Sequence, residues 1–273
     1  ALREIVQPFK DERIGAVSGT VEIGNRDGLL TIFQRIEYLH MQQILRRAYE
    51  VFDGIIVVPG AIGAWRVSAV KKAGLFTGDT ITEDADLTFA IHRCGYKIGY
   101  QENAKSFTEA PMSIRDLHRQ RIRWTFGMFQ TSWKHKHAII EGRPVGIISL
   151  IDAIWYQLIT SLFYPFFDIY FIILIVRVLS NIVMQGDLGD VAISQEITAG
   201  YLLIIFFGFL NIVAAMFLAR RFEPELFFLA PFARFGYRQI LYLTAIEAVV
   251  AGVLGRHAAW NKLDRSGTAR LIP

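Results

Sequence analysis

Along residues 1–143 the apolar positions fall in short runs and in helical steps. Segments 14–18, 55–58, 61–65, 97–100 and 104–107 are rich in Ile, Val, Ala and Tyr and bounded by Gly or Pro, which predicts strands. Leu29, Ile32, Phe33, Ile36, Leu39, Ile44, Leu45 and Ala48 recur near the helical period and predict a helix over 29–49. Two further helices are expected over 86–93 and 114–129. Strands alternating with helices give an α/β class for this half. From residue 144 the pattern changes to long apolar stretches at 147–180, 201–219 and 240–255. A bilayer core needs about 20 apolar helical residues. Residues 201–219 meet that with Asn211 as their one polar side chain and are expected to span. The 240–255 stretch is shorter and carries Thr244 and Glu247. The first stretch would run roughly 50 Å as one helix, with Pro165 and Asp168 at its middle, so it reads either as an interfacial helix followed by a span or as a tight pair. The expected organisation is an α/β unit over 1–143 and an all-α transmembrane region over 144–273 with three or four membrane helices.

Charge sharpens this division. The chain has 29 Lys and Arg against 25 Asp and Glu, and the net +4 lies wholly within residues 1–143. With 53% hydrophobic residues a disordered chain is excluded. The single Cys94 cannot form an internal disulfide. Lys134, Lys136 and Arg143 precede the first stretch and Arg220, Arg221, Arg234 and Arg238 follow the second, while 181–198 holds no Lys or Arg. Basic residues at span ends mark the cytoplasmic side, so 1–143 and 220–238 are expected in the cytoplasm of a multi-pass protein of the cell membrane. Arg256, Lys262, Arg265 and Arg270 in the tail fit four spans, whereas the 220–238 arginines fit three. Because the basic residues sit beside spans, no nucleic-acid partner is expected. The chain opens at Ala1 without a signal peptide and is expected to be part of a longer protein.

Three clusters could carry chemistry. Asp79, Glu83, Asp84 and Asp86 crowd a loop-to-helix junction. Thr80 with Glu83 fits a capping box, and equally a carboxylate at such a junction can face a cleft and take a proton from a substrate hydroxyl. On a helix, Gln120, Arg123 and Trp124 share one face; an amide, a guanidinium and an indole together suit a ligand with phosphate and sugar parts. Arg115, Arg119 and Arg121 point elsewhere and read as contacts to anionic headgroups. Gly60 and Gly63 permit either a packing bend or close approach by a ligand. His135 and His137 stand at i, i+2 and do not share a helix face, so they are not expected to hold a metal and read as headgroup contacts. His40, His92, His118 and His257 lie scattered, and Glu247 reads as an interior polar contact.

The order of these clusters, a Gly-rich segment, then Thr82-Glu83-Asp84, then Gln120-x-x-Arg123-Trp124, then spans, resembles the processive family 2 glycosyltransferases. These are the inverting membrane synthases of cellulose, chitin, hyaluronan and poly-N-acetylglucosamine, and the likeness is nearest to the poly-β-1,6-N-acetylglucosamine synthase type. Val17-Ser18-Gly19, Thr108 to Pro111 and Trp260 to Arg265 add to it. The resemblance implies the C-terminal half of a GT-A-type nucleotide-sugar transferase domain followed by membrane helices. It makes Asp84 the general base, with Glu83 and Thr82 shaping its site. Gln120 and Arg123 would hold the nucleotide diphosphate, Trp124 would stack beside the acceptor sugar, and Gly60 would border the acceptor terminus. The implied partners are a UDP-sugar, with UDP-N-acetylglucosamine favoured, a growing polysaccharide exported through the bilayer, and an accessory synthase or export subunit. The family's uridine-binding acids and metal-binding Asp-x-Asp are not found ahead of these motifs. Ligands for Mg²⁺ or Mn²⁺ are therefore expected outside this chain, with no metal site within it, and the 273 residues alone are expected to be inactive. The alternatives are a non-processive glycosyltransferase acting on a lipid carrier, which generally lacks Gln-x-x-Arg-Trp, and a non-catalytic subunit of a synthase complex.

Overall fold

The structure, a computed structural model, describes residues 1–185 and 195–254. Arg256, His257, the Trp260 to Arg265 run and Arg270 lie outside the described residues, as do residues 186–194 of the loop without basic side chains. A single turn, α1 (Leu2–Ile5), precedes β1 (Ile14–Ile23). The helix expected over 29–49 forms as α2 (Leu29–His40) and α3 (Arg46–Val51), joined by a π turn at Met41–Leu45. Then come β2 (Gly63–Trp65), α4 (Val67–Lys72), α5 (Glu83–Arg93), β3 (Lys97–Thr108) and α6 (Ile114–Lys134). Ser113 starts α6 by accepting the Asp116 N–H at 3.1 Å, the usual service of an N-cap hydroxyl.

The sheet has the order β2-β1-β3, with β1 antiparallel to β2 and parallel to β3. A parallel neighbour requires a crossover, and α5 packs across it against the sheet through Leu87 and Ile91, beside Ala16 and Ile98. Segments 97–100 and 104–107 are one strand. Its register slips between Gly19 opposite Gln101 and Thr20 opposite Lys105, and Glu102, Asn103 and Ala104 occupy the bulge. Gly19 is required there, because a Cβ would sit 2.5 Å from the Ala104 carbonyl oxygen. Residues 55–58, expected as a strand, join no sheet.

Residues 145–160 are helical, two six-residue π segments flanking α7 (Ile151–Ile154), and lead into α8 (Ser161–Gln185), which contains Pro165. The 147–180 stretch is thus a lead-in followed by one long helix, which rules out the tight pair. Two described helices are long and apolar enough to cross a membrane, over Ser161–Met184 in α8 and Ile197–Leu218 in α9 (Gln195–Leu218). After α10 (Pro224–Leu229), the 17-residue α11 (Tyr237–Val253) falls short of that length.

The apolar stripes of α2 and α6 are covered by the later helices. Phe33, Ile36 and Leu117 share a buried cluster with Ile212 and Met216 of α9, Leu226 of α10 and Tyr237 of α11. Arg35, whose side chain is 5% exposed, pairs with both Glu223 and Glu225. Arg221 reaches back to Glu22 at 3.3 Å.

Candidate functional site

Helix α5 begins at Glu83, with Thr82 at its N-cap position and no side-chain cap. The capping box expected from Thr80 and Glu83 does not form, and the Thr80 hydroxyl is buried with no partner among the described residues. Glu83 is exposed, while Asp84 is half-buried and turned onto the 55–60 segment. Its Oδ1 accepts the Ala85 N–H at 2.9 Å and its Oδ2 the Gly60 N–H at 3.2 Å. Burial raises the Asp84 pKa above the ordinary carboxylate value, against the two N–H groups, which lower it. A carboxylate shifted upward is a stronger proton acceptor.

Gly60 is exposed, and a Cβ placed on it would meet nothing within 4 Å. The amide that touches Asp84 thus borders open space. Gly63 is different: a Cβ there would sit 2.6 Å from Val58, so this glycine makes the packing bend. Around Asp84 the segment is held by more of α5. The Thr88 hydroxyl donates to the Asp84 carbonyl at 2.6 Å and accepts the Val58 N–H at 3.0 Å, and His92 Nε2 lies 2.9 Å from the Ile55 carbonyl. These bonds replace a sheet ladder, which is why 55–58 stays extended without becoming a strand. Arg46 holds the other side, donating to the Val57 carbonyl at 2.7 Å and to Ser18.

The face of α6 that carries Gln120, Arg123 and Trp124 continues through Gly127, Gln130 and Thr131. A Cβ on Gly127 would stand 2.5 Å from Thr82 Cγ2, so the glycine lets the acidic loop rest directly on the helix. Gln130 accepts the Ile81 N–H at 3.1 Å, and the Thr82 and Thr131 hydroxyls are 3.3 Å apart. The two motifs are thereby joined through the far end of one helix face. Gln120 is buried, and nothing described donates to its Oε1. Trp124 packs beside Val21, Ile23, Tyr38 and Ala110, and the Arg121 guanidinium lies over its ring at 4.6 Å. Arg123 is half-buried on the same face.

Several expectations are corrected here. Arg121 faces the interior, with both guanidinium nitrogens 2.8 Å from the Glu37 carboxylate, so it meets no headgroup; Arg115 and Arg119 are exposed. His135 is 4% exposed, 2.7 Å from Asp86 Oδ1 and stacked on Phe89. Burial pushes the Asp86 carboxyl up, but hydrogen bonds from His135, Lys134 and Thr77 outweigh it and hold the pKa well below the usual range. Glu247 pairs with His118 across α11 and α6 at 3.0 Å, and it is partly exposed. Thr88, His92, Gly127 and Gln130 escaped the sequence reading. The i, i+4, i+8 spacing of Asp84, Thr88 and His92 was the available signal for the first two.

Asp84, Gly60, Thr82 and the α6 face thus combine a basic carboxylate, an open amide and buried polar acceptors. Among the described residues no group of three or more His, Cys, Asp or Glu gathers as metal ligands. The model of the family described as glycosyl transferase family group 2 matches residues 1–219. A poly-β-1,6-N-acetyl-D-glucosamine synthase from Staphylococcus epidermidis is 24% identical over 97% of this chain and 65% of its own length. One from Staphylococcus aureus strain COL is 31% identical over 45% of the chain and 30% of that relative. The chain therefore spans less than two thirds of the curated relatives it matches. Among solved structures, the mannosyltransferase PcManGT from Pyrobaculum calidifontis, in complex with GDP-Man and Mn²⁺, superposes with a TM-score of 0.52. That match has 18% identity over 94% of this chain and 58% of the other, and it shows a shared GT-A-like fold.

Proposed function

The chain belongs to glycosyl transferase family group 2, and on that premise we propose that it serves the inverting, processive transfer of a sugar from a UDP-sugar to a growing β-linked polysaccharide. UDP-N-acetylglucosamine is the favoured donor, which the names of the Staphylococcus relatives support. The observation that carries the reading is the Asp84 carboxylate, raised in basicity by burial and bridged to an amide that borders open space. Asp84 takes the proton of the acceptor hydroxyl as that oxygen bonds to the donor's anomeric carbon. The bond from that carbon to the nucleoside diphosphate breaks, and the configuration inverts. Thr82 and Glu83 shape the entrance, Gln120 and Arg123 hold the diphosphate, and Trp124 lies beside the acceptor sugar. Arg123 suits a diphosphate because its fork matches two oxygens at once. The unpaired Gln120 Oε1 supports a ligand hydroxyl or N–H there, supplied by the sugar or nucleoside rather than the diphosphate, since a buried acceptor without a donor costs free energy until one arrives.

A divalent cation at the leaving diphosphate belongs to the reading, and the mannosyltransferase neighbour is described with Mn²⁺. The described residues do not assemble a set of ligands for it, so the steps above are those of the chain's own side chains. Residues 1–143 are the proposed catalytic part, the acceptor half of a GT-A domain, and 144–273 the membrane region. The 220–236 loop lies against Glu22 and Arg35, which supports placing both on the cytoplasmic face, with export of the polymer between the spans.

The test is polymer synthesis in membranes carrying the full-length protein, fed separately with radiolabelled UDP-N-acetylglucosamine, UDP-glucose and UDP-glucuronate, with Asp84→Asn as control. Label in a large product from one donor, lost in the control, supports the reading and names the sugar. Label confined to lipid-extractable material favours transfer to a lipid carrier. Absence of label from every donor favours a missing partner or a non-catalytic subunit.

A further inference from the structure

Three side chains on one face of α5 hold the 55–60 segment by its backbone. Asp84, Thr88 and His92 stand at i, i+4 and i+8 and meet Gly60, Val58 and Ile55 in turn, so segment and helix run in opposite directions. Four helical residues rise about 6 Å, and two extended residues cover about 7 Å, which lets Thr88 meet Val58 while Asp84 meets Gly60. We propose that Thr88 and His92 are positioning residues that set the register of this segment, so that the Gly60 amide and the open space beside it stay aligned with the Asp84 carboxylate. The inference rests on the reading of Asp84 as the base.

Thr88 is fully buried and spends its hydroxyl twice, donating to the Asp84 carbonyl and accepting from Val58. A methyl group of the same size could do neither and would leave the Val58 N–H without a partner. His92 is 4% exposed, and burial pushes its pKa down to about 4. It is therefore neutral at physiological pH, with its Nε2 proton given to the Ile55 carbonyl. Arg46 closes the far side at Val57, so the segment is clamped between α3 and α5. A slip of one residue along the clamp would carry the Gly60 amide away from Asp84 Oδ2. Misplacement of about 1 Å at a reacting centre costs rate far more than it costs binding of a distant group.

The test compares the full-length protein with its Thr88→Val, Thr88→Ser and Asp84→Asn forms in the same membranes, reading turnover, donor KM and amide hydrogen exchange over residues 55–60. Thr88→Val is expected to speed exchange across the segment and to lower turnover by about tenfold or more with donor KM unchanged. Thr88→Ser, which keeps the hydroxyl, is expected to restore both. The inference is overturned if exchange in Thr88→Val matches the parent, if its turnover does, or if Thr88→Ser loses as much. Asp84→Asn separates the two claims. Turnover retained in that variant removes the base and the alignment argument with it, whereas turnover abolished there but intact in Thr88→Val removes the positioning role alone. The exchange measurement needs no polymer to be made.

Discussion

Asp84 and Asp86 sit two positions apart on one helix, and their surroundings push them in opposite directions. Burial raises Asp84, so transfer should fail on the acid side at a pH above the ordinary carboxylate range, and the acid limb of a turnover profile reads this directly. Asp84→Asn should abolish transfer while the protein still folds, since an amide cannot take the proton. Asp86 is lowered by His135, Lys134 and Thr77. An acid lowered in the folded state adds stability above its unfolded value of 3.8, and loses it as the pH falls through the folded one. Asp86→Asn should therefore cost about 1.5–3 kcal/mol in thermal unfolding near neutral pH, with the gap to the parent closing below about pH 4. Sequence alone marked Asp84 and left Asp86 among the acids of a first turn. Its partners Lys134 and His135 lie at the far end of α6, and no local pattern connects them.

Elements were more legible than their ends. The period of α2, the face of α6 and the length of α9 followed from spacing, because burial of one stripe dictates it. The 55–58 segment did not, because its backbone bonds go to helix side chains and strand propensity measures fit to a pleated surface. The π turn at Met41–Leu45 shows in the pattern as the gap from Leu39 to Ile44, one residue wider than a helical step, which a count averaged over the whole stripe passes over. Gly127 gives the sharpest test at this scale. Gly127→Ala gains about 1 kcal/mol of helix propensity, but its Cβ must displace Thr82, and overpacking costs about 1–3 kcal/mol. Melting temperature should change little or fall slightly, while turnover drops because the acidic loop is lifted from α6. A melting temperature raised with full turnover would show that the contact does not matter.

At the scale of the whole molecule, polar groups are placed inside the apolar half with their partners supplied. Asp168 on α8 is 1% exposed and receives Arg234 Nε at 3.0 Å, Gln239 Nε2 at 2.7 Å and the Tyr201 hydroxyl. A buried acid is tolerated when it is paired, and this one ties both long helices to the 230–239 segment. With two apolar helices of span length, the chain should remain in the pellet when membranes are washed with alkaline carbonate. Release into the wash would count against spanning. Asp168→Ala should loosen α8 from Arg234 and increase protease cleavage between residues 220 and 236.

The cluster of Phe33, Ile36 and Leu117 with Ile212, Met216, Leu226 and Tyr237 also bears on how this molecule can be handled. Severed after residue 143 to give a water-soluble piece, the first part would keep every residue of the candidate site. The Arg35 guanidinium, robbed of Glu223 and Glu225, would simply hydrate. Phe33, Ile36 and Leu117 have no such remedy, and their bared stripe would seek another copy. Such a piece is expected to clump in solution and to be rescued by co-expressing residues 144–273 as a separate polypeptide, since the lid it lacks is made of α9, α10 and α11.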